Sequence, residues 1–186
     1  MKDKQVLIPL AQGCEELEAV TLIDLLVRAG INVVTASLDE QRIITASRGV
    51  QLIAQTTLSE VENTHFDLIV LPGGLPGATH LNESKLLHSM LNKAISSGQY
   101  VGAICAAPKV LVTAGLLDNK SATSFPGAID QNPAEGMTYV DEPVVIDGQV
   151  ITSKGPGTAM LFTLALIEKL AGTAVKESVA KSLQLP

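Results

Sequence analysis

The chain has 186 residues, of which 46% are hydrophobic and 17% charged, and its formal net charge is −6. This length and composition predict one globular domain spanning residues 1–186 and exclude a disordered chain. The acidic balance, without a lysine or arginine cluster, argues against a dedicated nucleic-acid surface. No apolar run approaches the roughly 20 residues of a membrane span, so we expect no membrane segment.

Two cysteines, Cys14 and Cys105, are too few for a disulfide framework in a chain of this length. The N-terminal residues are typical of a first strand, since acidic residues follow a short apolar stretch and no cleavage pattern is evident. We therefore expect a reducing, cytoplasmic location. No CxxC or HExxH spacing occurs, so neither a structural nor a catalytic metal is expected.

Short β-branched runs alternate with helical segments through the first half of the chain. A continuous apolar run at 66–72 predicts a strand buried on both faces of a parallel sheet. The other predicted elements of this half are a strand at 5–10, a helix at 14–30, a strand at 31–37, two short strands or a hairpin within 42–55, a glycine-rich loop at 73–81 and a helix at about 84–97.

The second half continues the alternation. It predicts a strand at 100–105, a helix at 106–117, a hairpin at 144–153 turning at Asp147-Gly148, and helices at about 157–171 and 173–183. Together the elements predict an α/β fold, a doubly wound sandwich whose mostly parallel sheet has helices on both faces. Ligands bind such folds at the carboxyl ends of strands, which draws attention to the loops at 11–15, 72–77 and 105–106.

Cys105 lies in the stretch GAICAAP (102–108), where a strand gives way to a helix. Small neighbours suit a nucleophile elbow, a sharp turn that exposes a reactive side chain above the sheet. The following helix N-terminus would favour the thiolate and lower the pKa of Cys105. The alternative is an unreactive buried residue, as free cysteines commonly are.

Glu18 lies on the same stripe of the first helix as Leu22 and Leu25. A carboxylate there must either reach solvent or be buried with a partner. A buried Glu18 would tend to stay protonated and could donate a hydrogen bond to a thiolate. The alternative is a helix-start glutamate favoured by the helix dipole, which is our expectation for Glu15 and Glu16.

Two glycine-containing loops could present backbone N–H groups. Gly73 and Gly74 follow the buried strand and suit close approach to a ligand or oxyanion, or simply a tight turn. The stretch SKGPGT (153–158) could offer N–H groups to an anion, or only mark a helix start.

We predict structural roles for the histidines and for the second cysteine. We expect the three histidines to be surface or structural residues and not a catalytic base. These are His65, His80 and His88. Cys14 follows another strand, and we expect a small residue at a helix start, not a disulfide partner of Cys105.

Taken in order, five motifs resemble the DJ-1/PfpI superfamily and in particular its DJ-1/YajL-like (ThiJ) branch. They cover the chain from about residue 5 to 170, and each is weak alone but specific in this order. The motifs are GCEELEAV (13–20), ASRGV (46–50), LPGG (71–74), AICAAP (103–108) and TSKGPGT (152–158).

The resemblance implies a flavodoxin-like α/β sandwich that forms a homodimer and needs no cofactor. It implies that Cys105 is the reactive thiol and that protonated Glu18 hydrogen-bonds it. The further residues it implies are Gly73, Gly74 and Ala106 as backbone N–H donors around the sulfur or a substrate oxyanion, Glu15 beside the site, Arg48 near the partner's site and Arg28 close to the dimer interface.

Two positions depart from many relatives. Phe125 precedes Pro126 where those relatives carry a histidine, although the YajL-like branch is similar in this respect. The lack of that histidine argues against a Cys–His pair and leaves Glu18 as the acid and base. Lys154 replaces an arginine of some relatives, which keeps the charge but loses bidentate anion binding.

The resemblance implies a cysteine-dependent stress-protection protein. Its expected partners are methylglyoxal, glyoxal or their early glycation adducts on proteins and nucleotides, which it would process as a glyoxalase or deglycase. One alternative is a redox-sensing chaperone whose Cys105 is oxidised to sulfinic acid. A PfpI-type peptidase or glutaminase-like hydrolase is disfavoured by the missing histidine, and a plain flavodoxin-like binding module has no supporting phosphate or flavin loop.

Overall fold

The computed structural model describes residues 4–185. Its strands are β1 (Gln5–Leu10), β2 (Asn32–Ser37), β3 (Ile43–Thr45), β4 (Gln51–Ile53), β5 (Thr56–Thr57), β6 (Leu68–Leu71), β7 (Tyr100–Ile104), β8 (Ser121–Ala122), β9 (Thr138–Tyr139), β10 (Val144–Asp147) and β11 (Val150–Ser153). Its helices are α1 (Glu16–Arg28), α2 (Gly77–Glu83), α3 (Lys85–Ser96), α4 (Pro108–Thr113), α5 (Ala159–Ala171) and α6 (Thr173–Ser182), with single 3₁₀ turns at Ser59–Val61 and Pro156–Thr158.

Seven strands form the central sheet, in the order β10-β11-β7-β6-β1-β2-β5. All neighbours run parallel except the antiparallel pair β10 and β11 at one edge. The mostly parallel sheet predicted from the alternating pattern is thus confirmed. The predicted hairpins are also confirmed, since β3 pairs with β4 and β10 with β11, and both pairs are antiparallel.

Helices cover both faces of this sheet. Val6 and Ile8 of β1 face one core, which includes Leu22 of α1 and Phe162 of α5, whereas Leu7 faces the other. This alternation follows from the two-residue period of a strand. The first face is covered by α1, α5 and α6, and the second by α2, α3 and α4. Helix α1 packs directly on α5, although the two come from opposite ends of the chain.

Two predictions near the carboxyl edge of the sheet were partly wrong. The segment 73–81 is not all loop, because α2 begins at Gly77 and places His80 in a helix. Ala78 and Leu81 supply its buried face at helical spacing. The helix predicted at 106–117 is shorter, since Pro108 stands at the helix start and Gly115, with a φ of 72°, follows its end.

Across residues 4–185, the structure has no helix that is both long and apolar enough to cross a membrane. The same range contains no group of three or more histidine, cysteine, aspartate or glutamate side chains arranged to hold a metal ion.

Candidate active site

The loops that follow β7, β6 and β1 meet at the carboxyl edge of the sheet, because these three strands are neighbours. From β1 the chain adds β2 on one side and β6 on the other, so the winding direction reverses between β1 and β6. A crevice opens at such a reversal in doubly wound folds. It brings Cys105, Gly73 and Glu18 together from three separate loops or helix starts.

Cys105 has the backbone of the predicted elbow. Its φ is 64°, in the left-handed region that non-glycine residues rarely adopt. Two hydrogen bonds hold the turn, as the Cys105 N–H donates to the Ser153 carbonyl at 3.0 Å and its carbonyl accepts from Phe125 N–H at 2.9 Å. The side chain is half-buried, so the thiol is held firmly yet remains within reach of a ligand.

Glu18 is completely buried, on the same face of α1 as Leu22 and Leu25. Of the two alternatives left by the sequence, the structure has the buried one. The Gly73 N–H donates to Glu18 Oε2 at 2.7 Å. The second oxygen, Oε1, is also buried and has no partner of hydrogen-bonding geometry among the described residues.

The pKa of Glu18 is raised to about 7, because burial disfavours the charged carboxylate. Hydrogen bonds with Gly73 and the Cys105 thiol act in the opposite direction. Glu18 and Cys105 therefore lie close enough to shift each other's pKa, although Oε1 lacks an aligned donor. Near neutral pH such a carboxyl group can both accept and release a proton.

The prediction that the pKa of Cys105 falls is wrong. Burial, the negative charge of Glu18 and the hydrogen bond to Glu18 together raise it to about 12, and burial is the largest of these causes. Helix α4 begins only at Pro108, so the sulfur does not lie in its first turn. Because two of the three raising causes come from Glu18, the thiolate forms most easily when its proton passes to Glu18.

The backbone donors divide into two sets. The N–H groups of Ala106 and Gly74 hydrogen-bond the Cys105 sulfur and lower its pKa. The Gly73 N–H was expected to point at the sulfur or a substrate oxyanion, but it donates to Glu18 instead, which corrects that expectation. Gly74, with a φ of 91°, must be glycine because a Cβ would overlap the backbone nitrogen of Glu15.

A pocket of about 500 Å³ opens beside the thiol. Its apolar wall includes the exposed side chains of Leu75 (63%) and Phe125 (52%). The charged residues that line it are Glu15, Arg48 and Lys109. Lys109 was not predicted from the sequence, although its position four residues after Cys105, just inside a helix start, was a usable signal.

Glu15 and Arg48 face each other across 4.0 Å, and Ser47 donates to the Glu15 carboxylate at 2.8 Å. Arg48 was expected near a partner's site, and the structure places it on the pocket of its own chain. Arg28 lies about 15 Å along α1 from Glu18, paired with Asp24, and is not among the pocket residues.

Several other side chains stay outside the pocket. Cys14 is buried and is a free thiol, as is Cys105. Lys154 pairs with Asp141. The histidines contact other parts of the chain, namely His80 with Gln12, His88 with Asn82 and His65 with Gln99.

Comparison with known proteins identifies the family. The model of the DJ-1/PfpI family matches residues 4–169. The chain belongs to the DJ-1/PfpI family. The crystal structure of Drosophila melanogaster DJ-1beta superposes on this family member with a TM-score of 0.94, at 43% identity over 99% of both chains.

Three curated relatives of this DJ-1/PfpI protein match nearly all of its length. Arabidopsis thaliana DJ-1 homolog A is 44% identical over 98% of the chain, which spans only 47% of that relative's length. A second Arabidopsis relative is likewise matched over less than half of its length. A Caenorhabditis elegans protein named glutathione-independent glyoxalase DJR-1.2 is 36% identical, over 99% of this chain and 97% of its own.

Proposed function

We propose that this protein is a cysteine-dependent glyoxalase that converts small α-oxoaldehydes, such as methylglyoxal and glyoxal, to 2-hydroxy acids without a cofactor. The observation that carries the proposal is the pairing of the Cys105 thiol with a fully buried Glu18 beside an open pocket. The name of the C. elegans relative supports the same reaction class.

The first step joins the substrate to the sulfur. Glu18 accepts the thiol proton, and the Cys105 thiolate attacks the aldehyde carbon. A C–S bond forms, the carbonyl π electrons move to oxygen, and that oxygen takes the proton from Glu18. The product is a hemithioacetal, and Glu18 is again a carboxylate.

The second step moves one hydrogen from C1 to C2. Glu18 removes the C1 hydrogen as a proton, a C1–C2 double bond forms, and the carbonyl electrons move to the C2 oxygen, which gives an enediolate. Glu18 then returns the proton to C2, and the C1 hydroxyl proton passes to the C2 oxygen as the C1 carbonyl forms, which gives a thioester of the 2-hydroxy acid. Water then attacks the thioester carbon, the C–S bond breaks, and the thiol recovers its proton. We assign the oxyanion of this last step to the N–H groups of Gly74 and Ala106, because both hydrogen-bond the adjacent sulfur.

Turnover of methylglyoxal tests this assignment. Cys105→Ala should abolish it, and Glu18→Gln should lower kcat by roughly 100-fold to 10,000-fold, the usual contribution of a positioned acid or base. Cys14→Ala is the matched control, because that cysteine lies outside the pocket. Full turnover by the Cys105→Ala protein would remove the proposal's basis.

The same site supports action on early glycation adducts, which form reversibly when these aldehydes meet thiols, amines or nucleotides. The test compares adduct loss with spontaneous aldehyde release, using the hemithioacetal of N-acetylcysteine and methylglyoxal. A deglycase must consume the adduct faster than free aldehyde is released. Equal rates would limit the activity to the free aldehyde.

A second candidate function is redox sensing, favoured by the two N–H groups at the sulfur. These donors and a protonated Glu18 can hold the oxygens of a sulfinate, so oxidation by peroxide should stop at that stage. Intact mass after mild peroxide treatment should show two added oxygen atoms, absent in Cys105→Ala. An unchanged mass would contradict this function, including a chaperone switched by oxidation.

We also propose that the protein is a homodimer. Leu17, Val20 and Val27 are exposed apolar residues on one face of α1, and Arg28, paired with Asp24, lies beside them. Burial of this face would favour association. Sedimentation should show a dimer that Val20→Glu shifts toward monomer, whereas a monomeric wild type would contradict the proposal.

Two further expectations stand as proposals. A peptidase or glutaminase mechanism remains disfavoured, because none of the three histidines of the chain lines the pocket. A reducing compartment such as the cytoplasm suits a function that requires the thiol of Cys105 to stay free.

A further inference from the structure

The pocket beside Cys105 is larger than the proposed substrates require. Its volume of about 500 Å³ falls in the range that holds drug-sized ligands, whereas methylglyoxal has only three carbons. Once the aldehyde carbon is bound to the sulfur, most of this volume remains for the non-reacting end of a substrate. The chemistry of the remaining walls therefore indicates what that end should be.

Lys109 supplies a cation to this pocket. Its Nζ donates to the Thr79 hydroxyl of α2 at 2.9 Å, and this is its one side-chain hydrogen bond within residues 4–185. No carboxylate of that range lies within 4 Å of it, whereas Lys120, Lys154 and Lys176 are each paired with one. An ammonium group has three donors, so the contact with Thr79 leaves two for a ligand.

The other charges of the pocket leave the Lys109 cation unbalanced. Glu15 faces Arg48 at 4.0 Å and also accepts a hydrogen bond from Ser47, so its carboxylate is engaged away from Lys109. Arg48 itself is 74% exposed and lies at the rim. A neutral hydroxyl thus positions the Lys109 ammonium group without neutralising it.

We propose that Lys109 selects reactive carbonyl compounds whose non-reacting end carries an anionic group, a carboxylate or a phosphate. This inference rests on the proposed function, because it assigns one binding residue to each end of the same substrate. The aldehyde carbon reacts with Cys105, and the anion at the other end binds the Lys109 ammonium group. The apolar side chains of Leu75 and Phe125 border the space between.

Lysine suits this role because its ammonium is a compact point charge that accepts either anion, without the bidentate geometry that arginine prefers. The contact with Thr79 reduces the conformational freedom that the long side chain would otherwise lose on binding. A charge-assisted hydrogen bond in a half-buried site should favour the anionic ligand by roughly fivefold to tenfold.

Binding of product-like 2-hydroxy acids tests the proposal without turnover. The Cys105→Ala protein is titrated by NMR with lactate, malate and 3-phosphoglycerate, whose tails are respectively neutral, a carboxylate and a phosphate. We expect malate or 3-phosphoglycerate to bind roughly fivefold to tenfold more tightly than lactate. Which of the two binds more tightly identifies the preferred anion.

Lys109→Met, which keeps most of the apolar stem, is then added to the Cys105→Ala protein, with Lys154→Met as the matched control. The preference should disappear with Lys109→Met and persist with Lys154→Met, whose lysine pairs with Asp141. A preference that is absent from the start, or that survives Lys109→Met, would overturn the proposal.

Turnover separates this inference from the proposed function. Phenylglyoxal and 4-carboxyphenylglyoxal share one reacting end and differ by a carboxylate. Lys109→Met should lower the ratio of their kcat/KM values, mainly through the KM of the carboxylated compound. An unchanged ratio would count against Lys109 as the selecting residue, whereas no turnover of any α-oxoaldehyde by wild type would contradict the proposed function alone.

Discussion

Cys14 and Cys105 follow strands of the same sheet edge but differ in exposure, backbone conformation and neighbouring groups. Burial is the largest cause that raises the pKa of each to about 12. Cys14 is fully enclosed, and its backbone is tied to Ala11 and Ser47. Cys105 is half-buried, has a left-handed backbone and borders the pocket.

The difference lies in what surrounds each sulfur. The carboxylates near Cys14, chiefly Glu16, raise its pKa through charge alone, and the hydrogen bond of its own backbone is the one opposing cause. Cys105 has a carboxyl group, Glu18, that can accept its proton, and two N–H donors that stabilise the thiolate. A high resting pKa therefore does not exclude a reactive thiol when a proton acceptor and an open approach are built beside it.

The rate of alkylation should distinguish the two cysteines most clearly. In the native protein, iodoacetamide should modify Cys105 about a thousandfold faster than Cys14, because Cys14 must wait for an opening whose free energy approaches that of unfolding. Peptide mass spectrometry after timed labelling measures both rates in one sample. Comparable rates would mean that the enclosure of Cys14 is lost in solution.

The next largest effect should be the pH dependence of the stability that Glu18 contributes. The raised pKa means that the folded state keeps a proton that the unfolded state releases between the ordinary value of 4.5 and about 7. Stability therefore falls as pH rises through this window, by about 3 kcal/mol in total, and changes no further above it. The free energy of unfolding of wild type minus that of Glu18→Gln should fall by this amount.

Glu16→Gln provides a control of opposite sign. Slight burial raises the pKa of Glu16, but hydrogen bonds from its own N–H, Ser47 and Arg48 outweigh this and lower it. Its contribution is present above 4.5 and is lost as pH falls through the lowered value. Urea titrations from about pH 2 to pH 8 measure both differences, and a flat Glu18 difference would contradict its burial as an acid.

Gly73→Ala should give the smallest of the three effects. A Cβ at this position would lie 2.7 Å from the Cys105 Cβ and 2.9 Å from the Ile104 carbonyl oxygen. Adjustment of these loops should cost about 1–3 kcal/mol of stability and slow the labelling of Cys105 but not of Cys14. Gly157→Ala is the matched control, because no atom lies within 4 Å of its Cβ, and its effect should stay within about 0.5 kcal/mol.

Local patterns predicted much of the fold because they report local geometry. The apolar run at 66–72 predicted the buried strand β6, and Asp147-Gly148 predicted the turn between β10 and β11. The stripe of Glu18 with Leu22 and Leu25 predicted which face of α1 it occupies. Helix α2 was not predicted, because its glycine-rich start is also typical of a loop.

The chemistry of the site could not be predicted in the same way, because it depends on distant segments. Whether Glu18 is buried or exposed depends on contacts with Gly73 and Cys105, which come from distant loops of the chain. The direction of the Gly73 N–H depends on how the β6 loop meets α1. The pKa of Cys105 was predicted from its own helix and was wrong because burial, together with the charge and hydrogen bond of Glu18, outweighs the backbone N–H donors.

The packing of α1 on α5 also has a consequence for synthesis on the ribosome. The apolar face of α1, with Leu22 and Leu26, shares its core with Phe162 of α5, so that face is not fully covered until α5 emerges. At about 5–20 residues per second, roughly 130 residues of further synthesis take on the order of 10 s. During this interval part of the apolar face of α1 is exposed on the nascent chain, and binding of a chaperone to it would protect the chain from aggregation.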